Sequence, residues 1–233
     1  MDFATVLIAL MGGLIPALFW LWFWLREDKP HPEPKALIAA AFIAGMAIVP
    51  IVLPLQKFAL ERFSGDSLIF MWVTIEEVLK YAAALVVVLW NRAVDEPIDT
   101  IIYMIAVALG FSAFENALFI FTPLQNGNIA ESILTGNFRF LGATLLHVLA
   151  SGTVGALMAM SFYQAKVVRI ALATVGLIIA IALHALFNSF IMDSSSGETI
   201  LTVFLFVWMG IIALLLIFEK VKLLERQHNS SKT

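Results

Sequence analysis

The sequence contains no cysteine, which excludes disulfides, thiolate metal sites and a cysteine nucleophile. Charge is scarce as well. Only 13% of the residues are Asp, Glu, Lys or Arg, against about 25% in a soluble domain. No basic patch interleaves with aromatic residues, so nucleic acid is not an expected partner. Gly-x-Ser-x-Gly, His-Glu-x-x-His and a phosphate-cradling glycine loop are also missing, which leaves serine-hydrolase, zincin and nucleotide-enzyme chemistries without their motifs.

Apolar length is what the chain has in abundance. Hydrophobic residues make up 61%, and the mean hydropathy is +0.96. Seven apolar runs, at 4–25, 36–55, 68–90, 98–122, 138–163, 168–192 and 198–219, are each long enough to cross a hydrocarbon core, which takes about 20 helical residues. Unbroken apolar length without period-2 alternation rules out strands. The first run has no basic n-region and no small-x-small cleavage site, so it reads as a retained helix and not a signal peptide. The expectation is an all-α, polytopic helix bundle of about seven transmembrane helices, a single domain over 1–233, multi-pass in the cell membrane with the lipid bilayer as its solvent.

Basic residues set the expected orientation. Arg26, Lys29, Lys35, Arg92, Lys166, Arg169, Lys220, Lys222, Arg226 and Lys232 fall on one side of the seven runs, and only Lys57, Arg62 and Arg139 on the other. The bias predicts an N-terminus outside and a C-terminus in the cytoplasm. Trp20, Trp22, Trp24 and Trp90 sit at the cytoplasmic ends of their runs, where indoles favour the interface.

The informative residues are those that lipid should exclude. The third run contains Glu76, Glu77 and Lys80, the fourth Glu115 and Asn116, the fifth His147, and the sixth His184 and Asn188. An ionisable group near the bilayer centre costs about 2.5–3.5 kcal/mol even on the lenient insertion scale. By helical rise, all four runs bring these residues to a common level about 10–13 Å beneath the outer boundary. Small residues recur at the same spacing, as Gly176-Ala180-His184-Asn188 and His147-Ser151-Gly155, which turns the histidines into the bundle. Taken singly, each has an ordinary structural account. A buried histidine is commonly a hydrogen-bonded packing residue, Glu76 and Lys80 at i and i+4 make an ion pair, and the asparagines serve as interhelical glue. That account has to cover the whole set at once.

Two hydrolytic chemistries suit the set. In one, Glu115, His147 and His184 bind a divalent metal such as zinc, and Glu76 or Glu77 acts as the base on bound water. In the other there is no metal: Glu76, paired with a histidine, deprotonates water, while His184 and Asn188 donate hydrogen bonds to the developing oxyanion. Glu76 and Glu77 project about 100° apart on a helix, so different roles are expected of them.

Glu76-Glu77-x-x-Lys80, Phe111-x-x-x-Glu115-Asn116, His147 and His184-x-x-x-Asn188, in that order on successive membrane runs, resemble the PrsW family of intramembrane proteases over roughly residues 36–192. More distantly they resemble the CAAX prenyl endoproteases and bacteriocin-processing membrane proteases, whose second motif commonly has His where this chain has Glu115. The PrsW resemblance implies an endopeptidase that cuts a single-pass membrane protein, such as an anti-sigma factor in envelope stress signalling, near its extracytoplasmic boundary. It implies catalytic positions at Glu76, Glu77 and His184, with His147, Glu115 and Asn188 as their partners.

Two other classes of function also bury polar residues in a membrane bundle. A proton-coupled transporter also buries Glu and His, but internal repeats and helices broken in both halves are not seen here. A non-catalytic membrane scaffold predicts that function survives loss of Glu76.

Overall fold

Long apolar runs in a medium without water can satisfy their backbone only within helices, and the chain folds accordingly. The computed structural model describes residues 3–26, 32–193 and 197–230; Lys29 and Lys232, counted above for orientation, lie outside the described residues. Eight helices follow one another: α1 (Phe3–Leu25), α2 (Lys35–Leu60), α3 (Gly65–Ala84), α4 (Pro97–Gln125), α5 (Ile129–Phe138), α6 (Thr144–Met160), α7 (Lys166–Asp193) and α8 (Gly197–Ser230). A π-helical turn extends α3 over Leu85–Leu89, and a second, Arg139–Ala143, joins α5 to α6. No strand occurs among the described residues.

The protein is a helical membrane bundle. Among the described residues, six stretches are long and apolar enough to cross a bilayer: Phe3–Leu25, Lys35–Leu60, Pro97–Gln125, Ile129–Met160, Lys166–Met192 and Glu198–His228. The expected third crossing, α3, falls short of that standard because Glu76, Glu77 and Lys80 interrupt it. All three of these residues are buried, so the charge that lowers its hydropathy faces protein. The outward surface is apolar instead, with Ile43, Ile51, Phe70, Val86 and Leu216 exposed on different helices. A bilayer solvates such a surface and water does not.

Helix α4 is the axis of the bundle. Every residue from Pro97 to Ala113 is buried, with α1, α2 and α6 packed around it. Its start is fixed locally by a capping box between Glu96 and Asp99 and by Pro97 in the first turn, where a missing N–H costs nothing. Close approach around it depends on glycine. A Cβ at Gly45 of α2 would lie 2.0 Å from the Val107 carbonyl oxygen, and one at Gly110 would lie 1.9 Å from the Phe42 carbonyl oxygen. Gly155 of α6 backs onto Thr100 and Ile101 in the same way.

Two boundaries differ from expectation. The segment 123–137, left between the fourth and fifth apolar runs, is mostly helical: Pro123 lies inside α4, only Asn126–Asn128 separate the helices, and Gly136-Asn137 sit within α5. Asn128 caps α5 by accepting from the Glu131 N–H at 3.2 Å. Beyond that cap, Ile129, Ile133, Leu134 and Phe138 present an exposed apolar surface at helical spacing. Membrane depth favours paired backbone over a loop, and that outweighs the modest cost of Gly136. Helix α8, expected to end near 219, continues to Ser230. Its last turns are built from good helix formers such as Glu219, Lys220, Leu223 and Leu224 and stitched by a Lys222–Glu219 pair at 2.8 Å.

Candidate active site

The polar residues converge toward one end of the bundle, where α2 and α4 finish, α3 and the α5–α6 rod begin, and α7 finishes. On α3, one turn places Lys80 three residues after Glu77, and Lys80 Nζ donates to Glu77 Oε1 at 2.6 Å. Both side chains are buried, at 0% and 1% exposure. The same carboxylate oxygen lies 2.6 Å from His184 Nδ1 on α7. Glu76, on the neighbouring face of α3, accepts from Gln56 Nε2 of α2 at 2.7 Å through Oε1. Its other oxygen, Oε2, is buried with no hydrogen-bond partner among the described residues and sits 3.8 Å from His184 Nε2.

His147 stands at the centre. Its Nδ1 is 3.0 Å from Lys80 Nζ, and its Nε2 is 3.0 Å from Glu115 Oε2 on α4. Its ring meets that of His184 edge-on at 4.9 Å between centroids, and that of Phe111 at 5.3 Å. Glu115 is held in turn by Arg139, whose NH2 group donates to Oε2 at 2.5 Å while its Nε donates to Asn116 Oδ1 at 2.5 Å. Asn116 donates to Thr144 Oγ1 at 2.9 Å and to Ser112 Oγ at 3.2 Å. One hydrogen-bonded chain therefore runs from Ser112 and Thr144 through Asn116, Arg139, Glu115, His147, Lys80 and Glu77 to His184. Arg139 and Glu115 are its most open members, at 15% and 18% exposure, and they form the mouth of the site.

Glu77, Glu115, His147 and His184 lie within this network, and Glu76 stands beside it, 3.8 Å from His184. Asn188 is half-buried one turn beyond His184, and makes no hydrogen bond recorded among the described residues. Residues the sequence reading did not assign to the site are Gln56, Ser112, Thr144 and above all Arg139, which was counted only as an outer-loop charge. Two signals marked it: Arg139 stands alone among apolar residues, and it opens a π-helical turn, a distortion that frequents functional sites.

The donors suit a metal. One ligand atom each from Glu76, His147 and His184 lies within 4.8 Å of the other two. Two imidazoles and a carboxylate form a catalytic zinc-type set with a position left for water, and the unpartnered Glu76 Oε2 is the kind of buried oxygen a cation would satisfy. Each histidine also touches a second carboxylate, Glu77 for His184 and Glu115 for His147, the outer-shell arrangement that orients histidine ligands. Glu115, expected among the ligands, is turned to Arg139 and His147, and Glu76 takes its place in the cluster.

Comparison with known proteins identifies a family. Residues 33–216 match the family described as PrsW family intramembrane metalloprotease. Protease PrsW of Oceanobacillus iheyensis is 29% identical over 213 residues, covering 90% of this chain and 94% of that protein. Protease PrsW of Bacillus subtilis is 24% identical over 190 residues, covering 80% and 83%. That of Clostridioides difficile is 26% identical over 231 residues, covering 94% and 91%. No solved structure matches.

Proposed function

This chain belongs to the PrsW family of intramembrane metalloproteases, and on that premise we propose that water is activated at Glu76, with His147 and His184 as its partners. One observation carries this reading: a buried carboxylate oxygen, Glu76 Oε2, has no hydrogen-bond partner and faces an imidazole nitrogen at 3.8 Å. Glu76, His147 and His184 would hold a divalent ion, zinc by the chemistry of the donors. Such an ion supplies Lewis acidity at the scissile carbonyl and eases deprotonation of water. The chain's own residues do the positioning. Gln56 fixes Glu76 through Oε1, leaving Oε2 for the ion. Glu77 accepts the Nδ1–H of His184, which directs the Nε2 lone pair toward Glu76. Asn188, one turn further along α7, is the proposed donor to the substrate carbonyl.

Metal analysis and peptide cleavage on one purified sample test the centre. About one zinc per chain, with cleavage lost on chelation and restored by zinc, is the expected result. Full activity in a metal-free sample instead assigns Glu76 as a general base acting without metal.

Arg139 is the proposed clamp on Glu115. Replacing the planar guanidinium by an ammonium keeps the charge but removes the two-pronged hold on Glu115 and Asn116. Arg139→Lys is expected to lower cleavage by about 10- to 100-fold, the usual effect of losing an outer-shell partner. An unchanged rate in a steady-state assay would take Arg139 out of the site.

The substrate is proposed to be a single-pass membrane protein of the anti-sigma-factor kind, cut near its extracytoplasmic boundary. The basic-residue bias puts the site's end of the bundle outside. A transmembrane helix hides its carbonyls in hydrogen bonds, and opening several in lipid costs several kcal/mol each. Cleavage is therefore expected where the substrate helix is already frayed, at its outer end. Mass spectrometry of the products decides this, and a scissile bond in the cytoplasmic half contradicts it. Reporter fusions after residues 30, 95 and 165 are all expected to report cytoplasm, and an external signal at any of them reverses the orientation.

A further inference from the structure

We propose that Trp72 is a positioning residue of the site: its indole N–H holds the Gln56 backbone, and through it holds the Gln56 amide on Glu76; this rests on the reading of Glu76 above. Trp72 lies on α3, one turn before Glu76, and is half-buried. Its Nε1 donates to the backbone carbonyl oxygen of Gln56 on α2 at 2.9 Å. The side chain of that same residue donates through Nε2 to Glu76 Oε1 at 2.7 Å. Residues 72 and 76 are four apart and share one face of α3. Helix α3 therefore grips a single residue of α2 twice, by its backbone and by its side chain. A backbone carbonyl has two lone pairs, so Gln56 accepts the indole N–H without leaving its own helix.

The end of α2 needs such a hold. Up to Val52 the helix is anchored in an apolar cluster, where Ile48, Val49 and Val52 meet Ile75 and Leu79 of α3 and Phe111 of α4. Beyond Val52, Leu53, Leu55, Phe58 and Leu60 are exposed, and of the residues up to Leu60 Ala59 alone is buried. Pro50 and Pro54 lie inside the helix, and each lacks the N–H that would bond the carbonyl four residues earlier. The last two turns of α2 are thus tied to the rest of the helix by a weakened ladder, and they turn few side chains toward the protein. From such a helix end, the Gln56 amide keeps its place on Glu76 only if its own backbone is fixed. Apolar packing of the ring is not directional, whereas the indole N–H fixes the carbonyl along one line. Trp72 supplies that fixed point from the same helix that carries Glu76.

The test uses the full chain in nanodiscs with a single-pass transmembrane peptide as substrate. Trp72→Phe keeps a ring at the position and removes the donor. It is expected to lower kcat about 3- to 10-fold, the worth of one neutral hydrogen bond, with KM unchanged. Gln56→Leu removes the amide through which Trp72 acts, so adding Trp72→Phe to it is expected to cost nothing further in kcat. No loss from Trp72→Phe alone overturns the proposal, and so do equal losses in both backgrounds, which make Trp72 a packing residue. A second readout is independent of activity. The chain has no cysteine, so Leu60→Cys with Phe70→Cys carries spin labels at those two exposed positions alone, one on α2 and one on α3. Adding Trp72→Phe is expected to broaden the distance distribution between the labels, and an unchanged distribution overturns the proposal while leaving the reading of Glu76 in place. Cleavage at the wild-type rate by Glu76→Gln overturns that reading and this proposal with it.

Discussion

Glu76→Gln is expected to lower the cleavage rate by at least about 10²-fold, with the protein still folded, because the ion and the water it activates lose their carboxylate. The substituted amide is nearly isosteric and can keep the contact with Gln56, which lies 2.7 Å from Glu76 Oε1. Its NH₂ group would turn toward the His184 Nε2 lone pair, where Glu76 Oε2 now stands unpartnered at 3.8 Å. The fold thus loses nothing it relies on, while the site loses its free carboxylate oxygen. Glu77→Gln is expected to behave differently although it is the adjacent residue. Glu77 is 1% exposed and neutralises Lys80, itself 0% exposed. Breaking a buried ion pair by removing one partner costs about 3–5 kcal/mol, and His184 loses the carboxylate that orients it. Cleavage of a membrane-embedded substrate, measured beside thermal unfolding of the same samples, separates the two. Wild-type cleavage by Glu76→Gln would remove Glu76 from the chemistry. Identical unfolding of the two variants would remove the division of labour between the glutamates.

That division was only partly legible in the sequence. The 100° offset between Glu76 and Glu77 predicts different roles, and the common depth of four polar positions predicts a cluster. Both follow from helical geometry alone. Which oxygens of the two glutamates are held depends on side chains from other helices, such as Gln56 of α2 at Glu76 Oε1, and Gln56 carries no signal in its own neighbourhood. The same limit hid the true place of Arg139. Charge bias reads a lone arginine at the end of an apolar run as a loop residue, whereas the π-helical turn at Arg139–Ala143 carries it inward to Glu115. Hydropathy also misjudged the segment after α4. Turn-forming residues such as Gly136 and Asn137 signal a loop in water, but at membrane depth the unpaired backbone of a loop costs more than a glycine in a helix. The small-residue stripes were read correctly as contact faces on the fifth and sixth runs. Their counterpart on the second and fourth, Gly45 and Gly110, went unremarked because no polar residue drew attention to it.

That unremarked pair carries the largest expected effect on folding. Gly110→Ala is expected to destabilise the bundle by about 3 kcal/mol or more, at or beyond the upper end of the usual range for overpacking. The added Cβ would lie 1.9 Å from the Phe42 carbonyl oxygen and 2.7 Å from its carbon. These are backbone atoms of α2, so no rotamer change can relieve the contact. The helices must separate instead, and α4 is the element around which α1, α2 and α6 are packed. Gly136→Ala is the control on the same protein. A Cβ there would come no closer than 3.5 Å to the end of the Ile120 side chain, and alanine exceeds glycine in helix propensity by about 0.8–1.0 kcal/mol, so stability should hold or rise. Function should track the difference. Helix α2 delivers Gln56 to Glu76, and α4 delivers Glu115 and Asn116 to His147 and Arg139. A crossing forced apart by an ångström or more pulls these partners out of hydrogen-bond range, and a misplacement of that size can cost about 100-fold in rate. Unfolding in mixed micelles and cleavage assays on both variants measure the two effects. If Gly110→Ala were as stable and as active as wild type, α2 and α4 could not cross as closely as Gly45 and Gly110 permit.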